Sequence, residues 1–330
     1  MEEKLISEKF NKRSSRYESI TNLSGVRNLW GNLLLDYLPA VKTDKVGNNS
    51  VDARQKLQNI VHAYVLASIS YAKNLDKKIC EEIFDKSNIS VISKIVHEIP
   101  NLTPNGALYP KKELMFLYNQ LVIEVRDFLG VNFLNEFALI AAPTVRLKTS
   151  IVPEWVQARS TYTGVPHSDA WVGHHGDGVI SLIALGNSER VGVQFYEPIN
   201  PSDKYLSNLG SFLEGESTYE SRRLLNSMDS ERVFVFDHAV LHGTFITPGD
   251  PCIRVSLDMA YTLRNDSKVS EILNPDYDRF EYLPVENWKK LGKSALLWID
   301  DSIRDVAPGQ INSSSGNSSF APSKLFYFRD

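Results

Sequence analysis

Between residues 144 and 263 the chain passes through six short segments rich in β-branched and aromatic residues, with no helical period between them. They are TVRLKTSIV (144–152), RSTYTGVPHSD (159–169), GVISLIALG (178–186), RVGVQFYEP (190–198), ERVFVFDHAVLHGTFI (231–246) and CIRVSLDMAYTL (252–263), punctuated by Gly, Pro, Asn and Asp. Segments of this length and texture read as strands. Parallel neighbours need a long crossover, usually helical, and none is visible here. The succession therefore points to an antiparallel sandwich or barrel rather than a parallel α/β sheet. The polar stretch 199–230 interrupts the series and reads as an inserted loop with a short helix near SRRLLNSM.

The first 135 residues have a different texture and read as helical. LSGVRNLWGNLLLDYLPAV (23–41) carries apolar residues at three-to-four spacing and ends at a proline. VDARQKLQNIVHAYVLASISYA (51–72) repeats that period, with Asp52 near its start. KKELMFLYNQLVIEVRDFLG (111–130) follows Pro110 and stops at Gly130, a common helix terminator. His62 and His97 fall in this region and read as ordinary helix residues. The expected organisation is a helical region over 1–135, a β core over 136–265 with the insertion at 199–230, and an extension over 266–330 containing the low-complexity run NSSSGNSS, all within one domain.

Composition narrows the setting. A formal charge of −4 gives no electrostatic case for nucleic acid or an anionic membrane as partner. Cys80 and Cys252 are the only cysteines, too few for a disulfide framework and suited to a reducing compartment. The opening MEEKLISEKF lacks the apolar centre of a secretory leader, and no run of about 18 apolar residues occurs. A cytoplasmic protein with a small-molecule partner is the expectation; oligomeric state is not readable.

Chemistry concentrates at GVPHSDAWVGHHGDG (164–178), which places three of the seven histidines within nine positions. His167 precedes Asp169 by two residues, and a metal site built on that pair needs a third ligand from another strand. VFVFDHAVLHGTFI supplies His238 and His242. Twelve positions after His242 comes Arg254, then Ser256. Strand alternation puts Cys252, Arg254, Ser256 and Asp258 on one face and Ile253, Val255, Leu257, Met259 and Tyr261 on the other. An arginine turned into a barrel is costly unless an anion meets it.

The ordered set His167-x-Asp169, His242 and Arg254-x-Ser256 resembles the signature of the Fe(II)/2-oxoglutarate-dependent dioxygenases. The resemblance covers residues 140–265. It implies a mostly β core with α support (α+β), a double-stranded β-helix of the jelly-roll, cupin-like kind, with the N-terminal helices packed outside. It implies that His167, Asp169 and His242 hold ferrous iron and that Arg254, assisted by Ser256, binds the distal carboxylate of 2-oxoglutarate. Two imidazoles and a carboxylate on one face of an octahedral ion leave three positions, enough for the keto acid and O2. The implied reaction is hydroxylation of a small molecule, an amino acid or a specialised metabolite, with release of succinate and CO2. Related halogenases carry a small residue where Asp169 stands, so halogenation is disfavoured; desaturation and ring closure stay open.

Each residue has a plainer reading as well. His167, Asp169 and His242 could form a satisfied polar cluster, Arg254 an interior ion pair with Asp258, and Ser256 a bond within its own sheet. His174 and His175, in a Gly-rich loop, are rim residues or substrate contacts. Trp171 walls the pocket or simply packs. Arg146 and Tyr162 sit on early strands where they could face the cavity, and an inward Arg146 would hint at an acidic substrate. His238 reads as structural and Cys252 as packing. The rival functions are an iron oxidase that does not use 2-oxoglutarate, a zinc hydrolase, and a non-catalytic cupin-like binding protein. The insertion 199–230 is a candidate lid.

Overall fold

A computed structural model describes residues 27–29, 32–39, 51–70, 96–99, 102–135, 137–172, 179–227, 232–263, 282–299 and 326–329. Fourteen strands occur among them: β1 Arg27–Leu29, β2 Asn32–Pro39, β3 Ala107–Leu108, β4 Phe137–Ala141, β5 Thr144–Thr149, β6 Val179–Gly186, β7 Val191–Ile199, β8 Ser221–Ser227, β9 Arg232–Asp237, β10 Leu241–Ile246, β11 Ile253–Leu263, β12 Tyr282–Pro284, β13 Leu296–Ile299 and β14 Phe326–Arg329. The longer helices are α1 Val51–Ser70 and α2 Met115–Leu129.

Nine strands form one sheet, ordered β1-β2-β9-β6-β11-β4-β12, with β5 also on β11 and β3 on β5. Three more form a second sheet, β10-β7-β8. The pairings within both are antiparallel. Strands adjacent in sequence are thus divided between the sheets: β5, β6, β9 and β11 lie in the large one, β7, β8 and β10 in the small one.

Alternation along β6 and β9 explains the layering. Val179, Ile183, Val233 and Val235 point to one side and join Leu57, Tyr64, Leu121 and Val125 of the two helices in the main core. Ile180, Leu182, Ala184, Phe234 and Phe236 point to the other side and meet Val193 and Phe195 of the small sheet. Both faces of the central strands are therefore buried, so they carry few polar residues. The helices are tied to this arrangement by Tyr64 and Tyr118, whose rings lie 5.6 Å apart, and by the Tyr118 hydroxyl, which donates to the Pro143 carbonyl at 2.7 Å. The buried Asn119 amide spends its groups on β13, donating to Leu297 O and accepting from Leu297 N. Gly130 ends α2 with φ 80°, a conformation glycine adopts without steric penalty.

Several sequence expectations need correction. Residues 27–39, within the stretch read as a helix over 23–41, are the strands β1 and β2; β2 pairs with β9 along Leu34–Pro39, and this non-local pairing overrides an apolar run compatible with either structure. Residues 159–169 are turns rather than a strand, with one bridging pair at His167. Pro166 has no N–H for a ladder, and a side chain at Gly164 would collide with the ring of Tyr162. SRRLLNS is strand β8, paired with β7, and not a helix. β4 lies inside the expected β core, though it was not among the six segments read as strands, and it pairs with β11 and β12. Helices α1 and α2 and strands β5, β6, β7, β9, β10 and β11 fall where the residue patterns put them. His62 lies exposed on α1, and His97 in a short 3-10 turn, Val96–Glu98. No helix among the described residues is long and apolar enough to cross a membrane.

Leu257 projects from β11 into the main core with no exposed surface, whereas Leu213 is more than half exposed. Leu257→Ala is expected to lower unfolding free energy by about 2–5 kcal/mol and Leu213→Ala by no more than ~0.5 kcal/mol, read from denaturant midpoints.

Candidate metal centre

His167 and His242 are 75 positions apart in the sequence and directly opposed in space. The His167 N–H donates to His242 O at 2.7 Å, and the His242 N–H donates to His167 O at 2.9 Å. This bridge adds residue 167 to the free edge of β10. The two rings stand 4.4 Å apart, centroid to centroid. Each ring then makes the same local bond: His167 Nδ1 donates to Val165 O at 2.8 Å, and His242 Nδ1 donates to Val240 O at 2.9 Å. A carbonyl can only accept, so each Nδ1 carries a proton and each Nε2 is the ring nitrogen left to meet a metal.

Asp169 begins a short 3-10 turn, Asp169–Val172, anchored to the segment before β10. The Ser168 hydroxyl and the Ala170 N–H both donate to His238 O. These bonds bring Asp169 Oδ1 to 3.8 Å from His167 Nε2. One ligand atom from each of His167, Asp169 and His242 lies within 4.8 Å of the other two, so the group could hold a metal ion. His167 and Asp169 each retain under a tenth of their surface. Burial, reinforced by the neighbouring His242 and opposed by Asp169, pulls the His167 pKa down to about 3. The imidazole is neutral at physiological pH, the state in which it can bind a metal.

Aromatic side chains enclose the centre. The Phe212 ring packs on His167 at 4.1 Å, and Phe236 meets His242 edge-on at 5.2 Å. Phe212 belongs to the insertion, which folds as short turns around Asp203–Leu206, Phe212–Gly215 and Glu216–Thr218 and is seated on the site. Trp171 is fully buried in that seat. Its indole N–H donates to Tyr205 O at 2.8 Å and its ring lies against Gly215, where a Cβ would collide. It packs the support of the centre. His238 is also fully buried, with Nδ1 3.8 Å from Asp169 Oδ2. His174 and His175 lie outside the described residues. Tyr162 occupies a turn and lines an open cleft with His97, Lys148, Val156, Thr244 and Ile246.

The second half of the site is the polar face shared by β5 and β11. In their register Arg254 stands opposite Lys148, Ser256 opposite Arg146 and Asp258 opposite Thr144. Arg254 is 2% exposed, Ser256 is fully buried, and Arg254 Nε and Nη1 and Ser256 Oγ have no hydrogen-bond partner among the described residues. The ion pair between Arg254 and Asp258, the plainer alternative for Arg254, does not form, because Arg146 takes Asp258 instead. Burial lowers the Arg254 pKa to about 10, a measure of how poorly its charge is compensated. Arg146, read from the sequence as a possible signal of an acidic substrate, is committed to Asp258 and Asn105 O. Lys148 was not singled out by its sequence context. Its local signal was the alternation Arg146-x-Lys148, and only strand register reveals its place beside Arg254.

No family model matches the chain, and no curated protein matches it. Solved structures do align. The non-heme alpha ketoglutarate dependent epimerase SnoN from nogalamycin biosynthesis is 11% identical, with 91% of this chain and 94% of that chain covered and a TM-score of 0.34. The non-heme alpha ketoglutarate dependent carbocyclase SnoK is 12% identical over 61% of this chain and 92% of that one, with a TM-score of 0.30. EctD from S. alaskensis, a structure with bound Fe, is 14% identical over 64% and 69%, with a TM-score of 0.30. At such values the overlays carry no argument about chemistry.

Saturating Mn(II) or Co(II) is expected to raise the melting temperature of the wild-type protein by roughly 2–4 °C, since a ligand at a hundred times its Kd stabilises by about 2.7 kcal/mol. His242→Ala and Asp169→Ala should abolish the rise in the same thermal scan. Because the folded-state pKa of His167 lies below its unfolded value, metal-free protein should lose stability as the pH falls below about 6.5.

Proposed function

We propose that the protein is an Fe(II)- and 2-oxoglutarate-dependent oxygenase that hydroxylates a C–H bond of a small molecule, releasing succinate and CO2. The observation that carries this reading is the buried guanidinium of Arg254, without a hydrogen-bond partner among the described residues, in the same interior as two imidazoles and a carboxylate. The donor set fits the metal. Two Nε2 lone pairs and one carboxylate are the ligands that non-heme Fe(II) oxygenases use, and they leave coordination positions open. The cavity wall fits the keto acid, since a buried arginine fork and a serine hydroxyl with unspent hydrogen bonds are what a carboxylate needs. The interleaving of strands between two sheets supports a double-stranded β-helix as the scaffold.

In this reading His167, Asp169 and His242 bind iron, and Arg254 with Ser256 orients 2-oxoglutarate through its far carboxylate. When bound, ferrous iron with 2-oxoglutarate and O2 supplies the oxidising power: one oxygen atom enters the substrate and the other enters succinate. The chain's own contribution is positional. The backbone bridge aims both imidazoles, Phe212 and Phe236 keep water from them, and the β5–β11 face holds the anion. Arg146, tied to Asp258, keeps that acid from neutralising Arg254.

The alternatives make different demands. An iron oxidase without a keto acid has no use for a buried, unpaired Arg254. A binding protein of the same scaffold has no need to retain all three ligands. Addition of 2-oxoglutarate to the anaerobic Fe(II) protein is expected to produce a visible metal-to-ligand charge-transfer band. Arg254→Met should weaken that binding by about 2 kcal/mol or more, some thirtyfold in Kd, while leaving metal affinity intact. Absence of the band in wild-type protein would exclude the keto-acid reading.

A further inference from the structure

Lys148 lies in a ring of positive charge that the proposed co-substrate does not fill. It is the direct cross-strand neighbour of Arg254, and like charges opposed in this way destabilise a sheet. The charges of Arg146, Arg254 and Arg159 all act on it, and its own charge acts on His97 and on His167. The one carboxylate contributing in its favour is Asp258, already paired with Arg146. The hydrogen bond that Lys148 Nζ makes is to the Thr163 hydroxyl, a neutral acceptor. Arg159 adds two more unspent donors, buried Nε and Nη1, and His97 adds a buried Nε2.

Charge counting shows what is missing. With the metal in place, its two positive charges are met by Asp169 and by the chelating carboxylate of 2-oxoglutarate. The far carboxylate meets Arg254, and Arg146 meets Asp258. Arg159, and Lys148 whenever it is protonated, are left with no counter-charge among the described residues. Desolvation and the surrounding cations hold the Lys148 pKa well below its usual value, a cost the fold bears with no internal return. Lys148 also lines the open cleft bounded by Tyr162, Val156, Thr244 and Ile246. On β10, Thr244 and Ile246 follow His242 at two-residue steps, so the cleft runs along the strand face that carries a proposed metal ligand.

We infer that Lys148 and Arg159 form a second anion site, distinct from Arg254, which receives a carboxylate, phosphate or sulfate group on the primary substrate. This rests on the oxygenase reading for its division of labour: Arg254 serves the co-substrate, and Lys148 with Arg159 serves the molecule to be oxidised. The substrate's anionic group sits at the inner end of the cleft, and its less polar body lies against Val156 and Ile246. Arg146 does not supply this specificity, because Asp258 has already claimed it.

The test uses anaerobic Fe(II) protein saturated with 2-oxoglutarate, so that Arg254 is occupied, titrated calorimetrically with inorganic phosphate and with sulfate. The expected result is binding that weakens at least about fivefold in Lys148→Met and in Arg159→Met, the loss of one charge-assisted contact, while 2-oxoglutarate affinity in each variant stays within about twofold. Two variants are needed because either cation could also matter for folding, and the charge-transfer band reports an intact centre. Anion binding that is absent, or indifferent to both substitutions, overturns the inference. So does phosphate that merely displaces 2-oxoglutarate, or a Lys148→Met variant that loses the keto acid, since Lys148 would then anchor the co-substrate. If wild-type protein shows no 2-oxoglutarate band, the oxygenase reading fails by itself. Phosphate titration of the metal-loaded protein then still decides whether an anion site depends on Lys148 and Arg159.

Discussion

The pair of backbone hydrogen bonds exchanged by His167 and His242 is the contact on which the site depends. It joins a turn to the edge of a strand and sets two imidazoles side by side, tilted 49° to each other with centroids 4.4 Å apart. Each ring is then locked by its own carbonyl two residues upstream, so orientation and tautomer follow from the main chain rather than from side-chain packing. Main-chain bonds in a buried region are among the least negotiable in a protein, because breaking one leaves unsatisfied polar groups. The centre therefore inherits the rigidity of the small sheet. Asp169 is delivered by the same means, through the bonds of Ser168 and Ala170 to His238 O.

Around that fixed point the protein places opposite kinds of wall. Beside His167 and His242 the neighbours are Phe212, Phe236 and the Trp171–Tyr205 cluster, which are apolar. On the β5–β11 side the wall is densely charged, and the charges do not balance: one carboxylate, Asp258, serves three cations in register. A buried face with that composition is unfavourable by itself. Under the proposed function its groups are satisfied when anions enter, so the same feature that weakens the empty fold would strengthen ligand binding. The pairing of Arg146 with Asp258 decides which cations stay available.

Elements with strong local periodicity were legible from residues alone. α1 and α2 show the helical period, and β6, β7 and β11 show compact β-branched runs, because their own side chains must match the layers they contact. Elements whose identity depends on a partner were not legible. β1 and β2 read as a helix until β9 supplies the pairing, and β8 does so until β7 does. The turns at 159–169 were disguised by β-formers flanking Gly164 and Pro166.

For the site, the order His167, Asp169, His242, Arg254 and Ser256 was already present in the sequence, and alternation along β11 put Arg254, Ser256 and Asp258 on one face, which the structure buries. Their roles came from the family resemblance that this order carries, and only the shared face of Arg254 and Ser256 came from the spacing along one strand. Tertiary structure alone decided that Asp258 belongs to Arg146, that Phe212 reaches back over His167, and that Lys148 stands beside Arg254. The physical reason is register: which residues of two strands face each other is set by hydrogen bonding between segments more than a hundred positions apart, and no local pattern encodes it.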